Sequence, residues 1–224
     1  MSMQNGVATG TGEKSSKFRA IVNEPPIARW LFADTRSAPL WLVLRVWLGL
    51  QWLFAGWEKA NLWNFNQGNW LHNGGVGLKG YWQGALAIAP GAKGAKITYD
   101  WYYDFLKFLF DRGDYSWFAW LIPFGEMAVG LGLIFGCLTG VAAFFGTVLN
   151  FSFELAGTTS TNPVLFGVTV LIVLAWRTSG WWGLDRYVLP ALGTPWQPGG
   201  LFHRAAKASP SPKIEHSGGL PLTR

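Results

Sequence analysis

The sequence predicts an all-α membrane protein. The expected architecture is a four-transmembrane-helix bundle, with a long extracytoplasmic loop carrying an amphipathic interfacial helix. Three observations point there. Only 13% of the residues are charged, against about 25% in an ordinary soluble domain. The chain holds 15 Trp and 16 Phe, and its apolar residues gather in long stretches almost without charge, as lipid-facing segments do. The run 117–157 is almost continuously apolar, too long for one span and right for two.

Residues 1–38 read as a cytoplasmic N-terminal arm. Residues 1–26, rich in Gly, Ser, Asn and Lys, have the composition of disorder. Residues 27–32 contain Trp30 and suit an interface, and the first 28 residues have no apolar core like that of a signal peptide.

The membrane domain is expected over 39–187. Its first span covers about 39–57: Pro39 suits a helix start, Arg45 is the one charge, and Glu58 and Lys59 close the run. The extracytoplasmic loop is 58–116. A helix is expected near 78–88. Asp100, Asp104, Lys107 and Asp111 recur at helical spacing over 99–112, which predicts a helix lying in an interface or capping a bundle. The second span is about 117–136 and the third about 141–157, with a turn at Gly136-Cys137-Leu138-Thr139-Gly140. The fourth, about 163–176, is short for a spanning helix. Trp181 and Trp182 after it suit interfacial anchoring. Residues 188–224 read as a cytoplasmic C-terminal tail, polar and disordered from Phe202 onward.

Charge orients the chain. Lys14, Lys17, Arg19, Arg29 and Arg36 precede the first span, and Arg177 opens a segment with six Lys/Arg. The turns after the second and third spans carry none. Both termini are therefore placed in the cytoplasm and the protein in the cell (plasma) membrane. The loop also has six Lys/Arg, but Glu58 and four Asp nearly cancel them. The net charge of +6 follows from this topology, and no nucleic-acid partner is expected. A lone Cys137 excludes an internal disulfide and a dithiol pair. His72, His203 and His216 all lie outside the apolar runs, so the chain has no haem or metal ligand set of its own within the spans.

Polar residues inside the spans are the candidate site. Arg45, Gly49, Gly56 and Lys59 form one stripe on the first helix. The second carries Pro123, Glu126, Gly130, Gly132 and Gly136; the third carries Asn150 and Glu154 on one face. An ionised group at a span centre costs roughly 2.5–3.5 kcal/mol, so each needs a partner or a polar cavity. Counting rise from the cytoplasmic ends puts Arg45 about 9 Å deep, Glu126 about 15 Å and Asn150 about 14 Å. Two clusters follow: an inner one of Arg45, Glu126 and Asn150, and an outer one of Lys59, Glu154 and Glu58. A buried Arg–Glu pair that only fixes helix register is the competing reading, and Lys59 and Glu58 equally suit a solvated helix end. The glycines read first as helix-contact residues. Arg45, Glu126 and Glu154 are the candidate catalytic residues; Asn150, Lys59 and Trp52 are the candidate cofactor-binding residues.

The run Leu44-Arg45-Val46 through Gly49, followed by Phe54-Ala55-Gly56-Trp57-Glu58-Lys59, resembles the opening signature of DoxX-type membrane proteins. Gly125-Glu126-Met127-Ala128-Val129-Gly130 through Gly136, and Thr139-Gly140, are similar to the family's second signature. Asn162-Pro163 and Gly183-Leu184-Asp185 also fit, so the resemblance covers about 39–187. It implies a four-helix membrane bundle. The long Trp-rich first loop resembles the DoxD branch, which implies the membrane subunit of a thiosulfate:quinone oxidoreductase. That carries a quinone as cofactor, a second protein subunit, the lipid bilayer and a small inorganic sulfur anion as partners. Chemically, an apolar slot with a few polar groups suits a quinone, with Glu126 or Glu154 relaying protons, Arg45 tuning the carboxylate, and Lys59 and Lys79 attracting an anion. A non-catalytic membrane anchor is the second reading, since the chain carries no evident electron carrier. A solute or proton pathway is a third.

Overall fold

The computed structural model describes residues 25–61 and 70–193, and these are all-helical. Nine α-helices follow in order among them: α1 Pro26–Ala33, α2 Ala38–Ala60, α3 Val76–Leu86, α4 Asp100–Asp111, α5 Tyr115–Phe135, α6 Thr139–Leu155, α7 Asn162–Leu174, α8 Trp176–Ser179 and α9 Asp185–Ala191. The 3-10 turn Thr35–Ser37 runs straight into α2. Two helical stretches, Thr35–Ala60 and Tyr115–Phe135, are long and apolar enough to cross a membrane. The apolar helices α6 and α7 are shorter, at 17 and 13 residues. α7 ends because Ala175 leaves helical geometry before α8 begins. Residues 1–24 of the expected arm and 194–224 of the expected tail lie outside the described residues.

Antiparallel packing of α2 on α5 organises the molecule. A Cβ on Gly49 would sit 2.8 Å from the Gly130 carbonyl oxygen, and one on Gly130 would sit 2.7 Å from that of Gly49. Seven residues along, a Cβ on Gly56 would meet the Pro123 carbonyl oxygen at 2.6 Å. Advance along α2 thus matches retreat along α5. The glycines let the two backbones touch.

α6 and α7 pack as a hairpin against this pair. Gly146 of α6 is the junction: a Cβ there would contact Val129 of α5, Trp52 of α2 and Thr169 of α7 within 3.4 Å. Trp41, Leu48, Trp52, Val129, Leu133, Ala143, Ile172 and Ala175 form the core at the end nearest α1 and α8. A second core at the opposite end joins Leu78 and Trp82 of α3, Tyr102 and Leu106 of α4, Ala119 of α5 and Ala156.

The two expected loop helices form as α3 and α4. In α4 the Lys107 ammonium meets Asp111 Oδ2 at 2.6 Å on the outer surface, while Tyr102 and Leu106 turn inward. Trp101, Phe105 and Phe108 of the same helix are half-exposed or more. Helical structure continues past both ends of the expected 39–187. α1 and the 3-10 turn are folded parts of the structure: the Trp41 indole N–H and the Ser37 hydroxyl both donate to the Leu31 carbonyl. α9 crosses residue 188, because its first residue, Asp185, is fixed in the interior.

Candidate functional site

Two charged layers lie inside the helices, and they differ from those the sequence suggested. At the α1/α8 end, Arg45 is almost fully buried. Its Nη1 donates to the carbonyls of Leu133 at 2.5 Å and Ile134 at 2.7 Å, and its Nη2 to that of Trp182 at 2.9 Å. The first two are among the final carbonyls of α5 and bear the negative end of the helix dipole; that of Leu133 also accepts from the Gly136 N–H at 3.3 Å. Gly136 caps α5 at φ +63°, and a Cβ there would meet the Arg45 guanidinium. One turn on, Asp185 accepts from the backbone N–H of Leu138 at 2.5 Å and of Thr139 at 2.8 Å. The carboxylate thereby satisfies the first amides of α6. Arg45 and Asp185 together hold the α5–α6 turn that contains Cys137.

Glu126 does not pair with Arg45. Both carboxylate oxygens accept from Lys59 Nζ at 2.8 Å. The physical reason is the direction of side chains on antiparallel helices. Helical side chains lean toward their own N-terminus. Arg45 therefore leans toward the α5 C-terminus and away from Glu126, whereas Lys59 leans down α2 toward it. The Gly49–Gly130 register also sets Arg45 level with Ile134, roughly 12 Å along the axis from Glu126 at 1.5 Å per residue. The proposed tuning of Glu126 by Arg45 falls with the pair.

The outer cluster also changes. Glu58 is exposed. Among the ion pairs of the described residues, Lys59 is bound to Glu126 and not to Glu154. The Lys59 side chain keeps 25% of its surface exposed while Glu126 keeps 1%. The ammonium lies 5.3 Å from the Phe153 ring centroid and 5.7 Å from that of Trp70, an aromatic seat for a cation.

Beside this pair are polar atoms with no partner among the described residues. Asn150 is fully buried, and neither its amide nitrogen nor its oxygen is hydrogen-bonded. The Trp52 indole N–H and Glu154 Oε1 are likewise buried and unpartnered. Trp52 meets α6 at Gly146, one turn from Asn150, and Glu154 lies one turn beyond. Buried polar groups are normally satisfied. Lys59, Glu126, Asn150 and Glu154, with the Trp52 indole N–H at the edge of the first core, therefore form a polar layer able to donate and accept toward a bound polar group. Five of the six candidate residues fall here, and Arg45 stands apart.

An apolar cavity of 260 Å³ adjoins the layer, with walls from α3, α4, α5 and α6. Phe153 lines it and also seats Lys59. Two phenols on its walls are spoken for: the Tyr81 hydroxyl bonds Thr158 Oγ1 at 2.7 Å, and Tyr102 donates to the Ser152 carbonyl at 2.8 Å. Burial raises the pKa of both tyrosines above the ordinary phenol value. Sequence reasoning missed Asp185 as a helix cap and Phe153 as a link; the only signal for the first was its place in Gly183-Leu184-Asp185. No protein-family model matches the chain, and neither a curated protein nor a solved structure matches it.

Proposed function

We propose that this chain is a four-helix integral membrane protein of the DoxX/DoxD kind, with α2, α5, α6 and α7 as its spans. In this reading it is the membrane subunit of a quinone-coupled oxidoreductase, acting with a second subunit and a thiosulfate-type donor. The observation that carries the reading is the polar layer: a half-buried Lys59 on a buried Glu126, beside an unpartnered Asn150 amide and Trp52 N–H, next to an aromatic-walled cavity.

A bound quinone supplies a two-electron, two-proton acceptor. The chain's residues supply the setting. Lys59, Asn150 and Trp52 offer N–H donors to ring carbonyls, and the surrounding aromatics exclude water, which strengthens those hydrogen bonds. Glu126 fixes the Lys59 ammonium in the site. Glu154, one turn nearer the loop, is placed to pass protons from that side. Placement in the plasma membrane with cytoplasmic termini draws support from Arg29, Arg36, Arg177 and Arg186, all carried by segments at the α1/α8/α9 end.

The test is quinone reduction by the purified chain in lipid nanodiscs, with thiosulfate as donor, with and without co-purifying partners. Activity lost in Glu126→Gln, with the protein still folded, supports the reading; no reduction under either condition sinks it. The second reading, an accessory membrane subunit, is favoured by the outward aromatic face of α4, Trp101, Phe105 and Phe108. It expects an inactive isolated chain and a stoichiometric partner.

A further inference from the structure

The cavity beside the polar layer has one closed side and one open side. Leu78, Trp82 and Ala156 close it from within, each nearly or wholly buried. Phe105 of α4, Leu121 of α5 and Val148 of α6 form the opposite wall, at 50%, 52% and 45% exposure. The opening therefore lies between α5 and α6, below α4, on a surface that is itself apolar.

Because the two phenols are already hydrogen-bonded, the walls offer a match to hydrocarbon. Apolar cavities of this kind stay dry and take apolar ligands. The volume of 260 Å³ falls below the roughly 300–1,000 Å³ of sites that enclose a whole drug-sized ligand. It suits part of a molecule whose remainder lies elsewhere. Phe153 gives the continuation, since it lines the cavity and its ring seats the Lys59 ammonium. Lys59 is already neutralised by Glu126, and Glu154 adds a further acceptor. An anionic phosphate head is disfavoured there, and a neutral carbonyl-bearing head is favoured.

We infer that this cavity is a lateral slot for the hydrocarbon tail of a neutral, carbonyl-headed membrane lipid, which enters from the bilayer between α5 and α6 and turns its head past Phe153 toward Lys59. The slot rests on the membrane placement and head site proposed above, and it adds the route of entry and the tailed class of ligand. It separates the two ends of the ligand: α4, α5 and α6 select the tail, and the polar layer selects the head.

The experiment uses the full chain in nanodiscs and a benzoquinone bearing a photoreactive alkyl tail, with cross-links mapped by mass spectrometry. A phosphatidylcholine with the same photoreactive tail runs in parallel. The quinone probe is expected to label Ile122 and Leu149 inside the slot. Leu121→Trp and Val148→Trp crowd the mouth at exposed positions, and melting curves check that both fold. Each is expected to cut that labelling about tenfold or more, the loss when two methylenes are kept out of an apolar site. Labelling unchanged by both variants, or no richer in the slot than on the outward α2 residues Val43 and Phe54, overturns the inference. Preferential labelling of the slot by the phosphatidylcholine probe overturns it as well. A tail-less benzoquinone separates the two proposals. If the slot is labelled but neither tailed nor tail-less quinone is reduced, the oxidoreductase reading fails and the slot stands.

Discussion

Removing one partner of the Lys59–Glu126 pair has unequal consequences at its two ends. Lys59→Met deletes the only cation within reach of Glu126 among the described residues, where both carboxylate oxygens depend on the same ammonium at 2.8 Å. Glu126 keeps 1% of its side-chain surface exposed, so the carboxylate is left in the interior without a counter-charge. A cost of about 3–5 kcal/mol follows. Glu126→Gln strands a cation that is better placed. Lys59 is 25% exposed, retains its seat over Phe153 and Trp70, and has a long stem with which to reach water. The loss is then that of one charge-assisted hydrogen bond, about 1.5–3 kcal/mol. The double variant Lys59→Met, Glu126→Leu removes both charges and is expected to recover most of the single-variant loss, as buried pairs replaced by apolar residues do. Equilibrium denaturation of the four proteins in one detergent measures all three differences. A Lys59→Met protein as stable as Glu126→Gln, or a double variant worse than both, refutes the asymmetry and with it the burial assigned to Glu126.

Three further outcomes follow from the same geometry. Arg45→Met orphans the carbonyls of Ile134 and Trp182 and leaves that of Leu133 only the Gly136 N–H, which at about 1–3 kcal/mol per buried unmet group is expected to abolish stable folding; Arg45→Lys, a point charge without a fork, rescues it in part, as read by the monodisperse yield on size exclusion. Asp185→Ala removes two hydrogen bonds accepted from backbone N–H groups at the start of α6, and a loss of about 2 kcal/mol or more by the same denaturation is expected, above an exposed cap because this one is buried. Tyr81 and Tyr102 have folded-state pKa values raised above 10.0 by burial. Their contribution is therefore full below about pH 10 and is lost as pH rises above it; Tyr102→Phe flattens that alkaline decline, and ultraviolet titration of tyrosinate shows no Tyr102 signal until the protein unfolds.

Helices were legible where periodicity and length settle the matter. The expected 117–136 is Tyr115–Phe135, and the expected 141–157 is Thr139–Leu155, because glycines at 136 and 140 mark the break between them. The glycine stripe was read correctly as contact surface, and Gly49 and Gly56 do meet α5. Partners were less legible. Depth counted from the span ends put Arg45 near Glu126, but register is set by the Gly49–Gly130 contact, and side-chain lean then sends Arg45 one way and Lys59 the other. Asp185 caps a helix that begins 46 residues earlier; spacing of that order carries no local signal. The Phe153 ring looked like one of many apolar residues of the third span, and only the packed structure places it between the cation and the cavity.

Arg45 and Lys59 look alike in the sequence: one basic residue each, on one stripe of one helix. What divides them is how fully their neighbours are satisfied. Around Arg45 most groups are met: Nη1 and Nη2 reach three carbonyls and Asp185 takes two amides, while Arg45 Nε, Thr139 Oγ1 and Ser179 Oγ are left over at that end. Those bonds join α2, the α5 terminus, the α6 start and the segment before α9, and each is local to a helix end that needs a partner in any case. A second ligand there would have to break one of them. Around Lys59 the accounting stays open, since Asn150 has donor and acceptor both unmet and Trp52 and Glu154 add one atom each. Open valence in a buried layer costs stability, and the fold could have closed it with apolar residues at positions 150 and 154. The layer that leaves a whole buried side-chain amide unmet is therefore the one to probe for a ligand, and Arg45 the one to probe for folding.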